Sequence, residues 1–172
     1  MIRLELDLDS AEDLKLVKAQ WKFAQGLVPG EPNEGLSAGI SDSPARLADY
    51  DDSSWEMCET VQTTRSRGLT FAWYRIALTL PQQVQGRDVS GWRVIFETCI
   101  DDYGEVWVDG ECDFATGTVV GFNKPHRVTL TTGAKPGQKY VIACLAANGP
   151  LARPFGGIFL RYVRLAFENY SL

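Results

Sequence analysis

The densest group of side chains able to do chemistry is acidic, with Asp101, Asp102, Glu105 and Asp109 crowded around Tyr103. Carboxylates grouped like this can act as acid and base in glycoside cleavage or give oxygen ligands to calcium. They can also accept sugar hydroxyls, or simply cap backbone amides at a corner between strands. Capping is the favoured reading, with Asp101 and Asp102 kept as candidate polar contacts to a ligand. No cofactor is expected, and a structural calcium ion at this corner is the sole metal considered. The chain has 1 histidine, His126, which excludes a multi-histidine metal site. It lies between Pro125 and Arg127, and with Asp101 and Asp102 it defines an alternative, a small hydrolase or lyase. No serine occupies a G-x-S-x-G elbow, and the glycines around Gly117 and Gly121 lack phosphate-loop spacing.

Binding chemistry has better material. A sugar offers C–H faces that stack on aromatic rings, and hydroxyls that need acceptors and fork-like donors. Trp73, Trp107 and Phe155, beside Arg75, Glu97, Asn123 and Arg153, supply both kinds of group. Whether they meet depends on strand phase. An outward Trp107 would equally suit burial beneath a second subunit.

The elements that must position these groups read as strands. Trp92, Val94 and Phe96 alternate with Arg93, Ile95 and Glu97, the period of a half-buried strand. After the acidic corner, Val106 and Val108 alternate with Glu105, Trp107 and Asp109, and Asp109-Gly110 is a tight-turn dipeptide. In the strand from Thr70 to Leu80, Tyr74, Ile76, Leu78 and Leu80 share a face opposite Trp73 and Arg75, and Pro81 ends the run. Tyr140 to Ala147 is apolar on both faces, as expected of a covered central strand. Ile2 to Leu8 alternates as an edge strand, and Ser10 with Asp13 marks a capping box opening a helix over 11–19. Residues 26–44 carry too many glycines and prolines for regular structure and form a long loop, a candidate binding rim. The apolar phase switches within Ile158 to Phe167, and a bulge near Arg161 would reconcile the two halves. Short strands, turns and one small helix predict an all-β, antiparallel two-sheet sandwich with one short N-terminal helix.

Several fragments, in order, resemble the galactose-binding-like jelly roll that precedes the catalytic barrel of β-galactosidase and β-glucuronidase type glycosidases. They are Asp51-Asp52-Ser53-Ser54-Trp55, Trp73-Tyr74-Arg75 followed by Pro81, Val106-Trp107-Val108-Asp109-Gly110, and Gly156-Gly157-Ile158. The run from Gly121 to Arg127 and Asn148-Gly149-Pro150 are similar to a sandwich module fused to gluconolactonase-like propellers. The first resemblance implies a sugar-binding sandwich whose catalytic carboxylates lie on a separate barrel. It makes a non-catalytic carbohydrate- or polyol-binding module the expected function, with a sugar or sugar acid as ligand. The alternative is an accessory or homodimerising subunit serving a catalytic partner chain.

The totals agree with this. At 172 residues the chain suits a single domain over 1–172. A net charge of -5 lacks the basic footprint that nucleic acid requires. No apolar run approaches the ~20 residues needed to span a bilayer, so a soluble, cytoplasmic location is expected. Cys58, Cys99, Cys112 and Cys144 form no C-x-x-C pair and read as reduced thiols.

Overall fold

A computed structural model describes residues 1–31, 43–100, 102–120, 124–149 and 156–170. The elements are β1 (Ile2–Asp7), α1 (Ala11–Leu16), β2 (Trp21–Gln25), β3 (Glu56–Met57), β4 (Thr70–Thr79), β5 (Gln83–Val84) and β6 (Arg87–Asp88). They continue with β7 (Arg93–Ile100), β8 (Tyr103–Val108), β9 (Thr118–Val120), β10 (Pro125–Thr131), β11 (Lys139–Asn148) and β12 (Leu160–Asn169). Two antiparallel sheets face each other, a four-stranded one in the order β1-β12-β7-β10 and a six-stranded one in the order β3-β2-β4-β11-β8-β9. The predicted sandwich is therefore the observed architecture.

Alternation explains the layers. Trp92, Val94 and Phe96 from the smaller sheet meet Tyr74, Ile76 and Ile142 from the larger one in the main core. Trp21 spans the gap: its ring lies 6.3 Å from that of Phe96 while its indole N–H donates to the Leu8 carbonyl at 2.9 Å. The sheets also approach closely where β8 begins. A Cβ on Gly104 would come within 2.6 Å of the Ile100 side chain, so that position admits no larger residue without displacement.

Three details depart from the sequence expectations. Helix α1 is shorter, ending before Lys18, whose φ of 55° lies in the left-handed region. Ser10 makes no side-chain cap; Asp13 instead accepts the Asp7 amide at 2.8 Å, tying the helix back to β1. Residues 82–91, whose polar sequence reads as a plain connector into β7, hold a small hairpin, β5 with β6, turned by Gln85 and Gly86 at positive φ. The bulge expected near Arg161 is present as a register shift between Leu160 and Val163 where β12 pairs with β7.

Candidate functional site

The outer face of the six-stranded sheet brings together several of the residues singled out above. Arg75 on β4 and Trp107 on β8 both pair with Ala143 of β11, and in the next row Trp73 and Glu105 both pair with Leu145. With strands ~4.8 Å apart, each pair lies about 10 Å apart on one surface. The alternation read along β4 and β8 is what puts Trp73, Arg75 and Trp107 on this face.

That surface is not open. Leu27, Ala45 and Trp55, from the chain between β2 and β3, where Pro44–Arg46 form one 3-10 turn, close over Phe71, Trp73, Trp107, Ala143 and Leu145 to make a second apolar core. Trp73 is 0% exposed and its indole N–H donates to the Leu27 carbonyl at 2.9 Å. Arg75 is the staple of this cover. Its guanidinium donates to Asp52 Oδ2 at 2.8 Å and to the carbonyls of Ala48 at 2.8 Å and Ala45 at 3.2 Å. The Asp52 carboxylate also takes Lys22 Nζ at 2.6 Å. The Asp-Asp-Ser-Ser-Trp segment thus closes a lid on the sheet: Asp51 accepts the Ser53 amide at 3.0 Å, and Trp55 packs beneath.

Toward the β8 end the face is still buried, and the exposed Phe114 ring belongs to the turn that follows the strand. Glu105, 3% exposed, accepts the Trp107 indole N–H at 2.8 Å on one oxygen and the Tyr103 hydroxyl on the other. Burial, with the Glu105 hydrogen bond behind it, pushes the Tyr103 phenol above its ordinary range. Burial and the nearby Glu105 and Asp113 carboxylates push the Cys112 thiol up to about 11, so it is a poor nucleophile at neutral pH. Trp107 itself is 7% exposed, with the Arg46 guanidinium 5.4 Å above its ring centroid and the Phe114 ring 6.1 Å away at 85°. Phe114 is 66% exposed.

The remaining predicted residues lie elsewhere. Glu97 does not join the tryptophans: β7 belongs to the other sheet, so its outward side faces the opposite surface of the molecule. There Glu97 is buried between Arg3 at 2.8 Å and Arg127 at 2.7 Å, in a network that also holds Glu168. Asp102 sits at φ 63° and its carboxylate accepts the Gly149 amide at 2.6 Å, the capping role expected of a corner aspartate. His126 is fully buried between the sheets, with Nε2 3.1 Å from the Gly104 carbonyl. Asp101, Asn123, Arg153 and Phe155 lie outside the described residues, as does most of the 26–44 loop. Among the described residues no cluster of His, Cys, Asp and Glu has the makings of a metal site, and all four cysteines are free.

Sequence reading missed Arg46 and Phe114. The signal for Phe114 was available in Asp113-Phe114-Ala115-Thr116-Gly117, where an aspartate ahead of a Thr-Gly pair marks a capped turn. Asp113 accepts the Ala115 amide at 2.9 Å and the Thr116 hydroxyl at 2.9 Å, fixing the turn that carries the ring.

No protein-family model matches this chain, and no curated protein matches it in sequence. Solved structures do. A Bacteroides uniformis β-glucuronidase 2 superposes with a TM-score of 0.63 at 20% identity, over 96% of this chain and 18% of that one. A glycosyl hydrolase family 2 member from Bacteroides cellulosilyticus gives a TM-score of 0.65 at 14% identity, over 96% of this chain and 21% of its own. A Faecalibacterium prausnitzii β-glucuronidase gives 0.61 at 18% identity, over 98% and 32%. The chain thus spans a fifth to a third of the length of these glycosidases. The likeness is one of fold: these glycosidases contain, over part of their length, the two-sheet antiparallel sandwich seen here.

Proposed function

We propose that this chain is a non-catalytic, carbohydrate- or polyol-binding β-sandwich module. The observation that supports the reading is the fold match: 96% of this chain superposes on one part, 18%, of a β-glucuronidase, a protein named for acting on a sugar. The outer face of the six-stranded sheet adds chemical support, since it pairs aromatic rings with a guanidinium and a buried carboxylate acceptor. Because Trp73 is buried, this reading takes the rim near β8, and not the sheet centre, as the contact surface. The four free thiols fit a reducing, cytoplasmic setting. The hydrolase alternative draws no support from His126, which is enclosed in the core, or from Asp102, which is engaged in capping.

Calorimetry with simple sugars, polyols and sugar acids, backed by a glycan array, tests the reading. Saccharide-dependent heat with saturation is the expected result, and silence across all ligands would refute it.

A second reading, an accessory or homodimerising subunit, is favoured by the other sheet. There the exposed Arg127 and Arg164 fringe a network over buried Ile95 and Ala166, a face suited to a partner. Light scattering that gives only a monomer, with no enzyme co-purifying, would remove that reading.

A further inference from the structure

We propose that Phe114 and Arg46, both supported on the Trp107 indole, form a subsite for an uncharged saccharide ring, one that selects against sugar acids. This rests on the carbohydrate-binding reading and specifies where the ligand sits and what charge it carries.

The first observation is a ring held in water by rigid chain. Exposing most of a phenyl ring forgoes the favourable burial of its apolar surface, so an exposed Phe on a loose loop would be expected to fold back. This one is fixed. Besides the Asp113 caps, the Thr118 hydroxyl donates to the Phe114 carbonyl at 2.8 Å, and the Val106 amide donates to the Gly117 carbonyl at 2.8 Å, locking the turn to β8. A Cβ on Gly117 would lie 2.8 Å from the Asp113 carbonyl oxygen and 2.9 Å from that of Val106, so the turn closes this tightly only with glycine.

The second observation is an orientation chain beneath the ring. Tyr103 and Trp107 each donate to one oxygen of Glu105, which fixes the indole plane. Arg46 lies over that indole and makes no ion pair among the described residues, so the donors on its rim remain available. A phenyl face for sugar C–H groups thus stands beside a planar fork of donors for hydroxyl oxygens.

The third observation sets the charge of the ligand. Asp113 flanks the subsite, Glu105 lies buried beneath it, and hydrogen bonds from Ala115 and Thr116 hold the Asp113 carboxyl below its ordinary value, keeping it ionised. The whole chain carries a net charge of -5. A sugar carboxylate would lie beside the exposed Asp113 carboxylate and above the buried Glu105 with one guanidinium to offset them, whereas neutral hydroxyls can donate to Asp113 and accept from Arg46.

The test is calorimetry of the full chain with cellobiose and lactose, and with cellobiouronic acid as the charged comparison. Phe114→Ala should weaken neutral-sugar binding at least about tenfold and Arg46→Gln by about threefold or more, the loss of one stacked ring or one charged donor. Phe114→Tyr should bind as the parent does, and the thermal midpoints of all three variants should stay near the parent value. Binding of cellobiouronic acid should be several-fold weaker than that of cellobiose. Neutral-sugar binding that survives both Phe114→Ala and Arg46→Gln would overturn the subsite and leave the carbohydrate reading standing. Tighter binding of the uronic acid would overturn the charge assignment, and absence of binding by any saccharide would overturn the carbohydrate reading together with the subsite.

Discussion

Among single residues, Gly157 shows how a small motif is fixed by sterics. It lies in the Gly-Gly-Ile fragment and forms a bridge with Arg67, flanked by the Gly68 amide donating to the Gly156 carbonyl at 2.9 Å and the Ile158 amide donating to the Ser66 carbonyl at 2.9 Å. A Cβ there would fall 2.2 Å from the Ser66 carbonyl oxygen and 2.5 Å from Thr64 Cγ2. The obstacle is backbone, which cannot rotate aside. Gly157→Ala should therefore destabilise the fold by about 2–4 kcal/mol, read as a thermal midpoint lower by roughly 5–15 °C. Gly133 is the control: nothing lies within 4 Å of its would-be Cβ. Gly133→Ala should leave the midpoint within about 2 °C of the parent, since neither a clash nor a left-handed backbone opposes it. Equal effects at the two glycines would contradict the steric account.

For the elements, the decisive contact is between β4 and the chain that covers it. Arg75 donates to a carboxylate and to successive carbonyls of the 45–52 segment, and lysine has one compact ammonium in place of that fork. Arg75→Lys should loosen the cover by about 2 kcal/mol. Hydrogen exchange should accelerate at the Leu47 and Trp55 amides, which bond within the segment, while β7 and β12 exchange as before. Uniform acceleration in both sheets would mean that Arg75 supports the whole fold and not the cover alone. The same strand marks what sequence could reveal. Alternation placed Tyr74, Ile76 and Leu78 inward and Trp73 and Arg75 outward, as found. It could not show that the outward side is itself buried, because the covering residues Leu27, Ala45 and Trp55 lie in turns and a single 3-10 turn, too short to show a period. Glu97 failed for a related reason: its phase on β7 was right, but phase does not say which sheet a strand joins, and β7 turns its polar side to the opposite surface. Phe114 escaped notice because strand patterning gives no information about a turn, where the relevant signal is the side-chain cap of Asp113.

At the scale of the whole molecule, two buried groups tie the layers to pH. His126 on β10 reaches across the sandwich to the Gly104 carbonyl of β8, and its Nδ1 has no partner among the described residues. Burial lowers its pKa below the ordinary value of 6.5, only partly opposed by the hydrogen bond to Gly104. With the folded pKa depressed, folded and unfolded chains are both neutral at this site at high pH. As pH falls below about 6.5, the unfolded chain takes up a proton that the folded one refuses, so stability is lost on acidification until the folded pKa is reached. Glu168 adds a second, lower window. Burial alone would raise its carboxyl, but hydrogen bonds from Tyr170 and Arg3 outweigh it and hold the pKa below 4.5. Its contribution is complete above the ordinary carboxylate value and disappears as pH falls through the folded one. The thermal midpoint should therefore decline in two stages between pH 8 and pH 3, the first with a limiting slope of about 1.4 kcal/mol per pH unit. His126→Gln should start from a lower midpoint at pH 8 yet lose the first stage, and Glu168→Gln should keep the first and flatten the second. A parent midpoint that stays level from pH 7 to pH 5 would show that the imidazole finds a route to water or to a counter-charge, and that the two sheets part locally at β8 and β10.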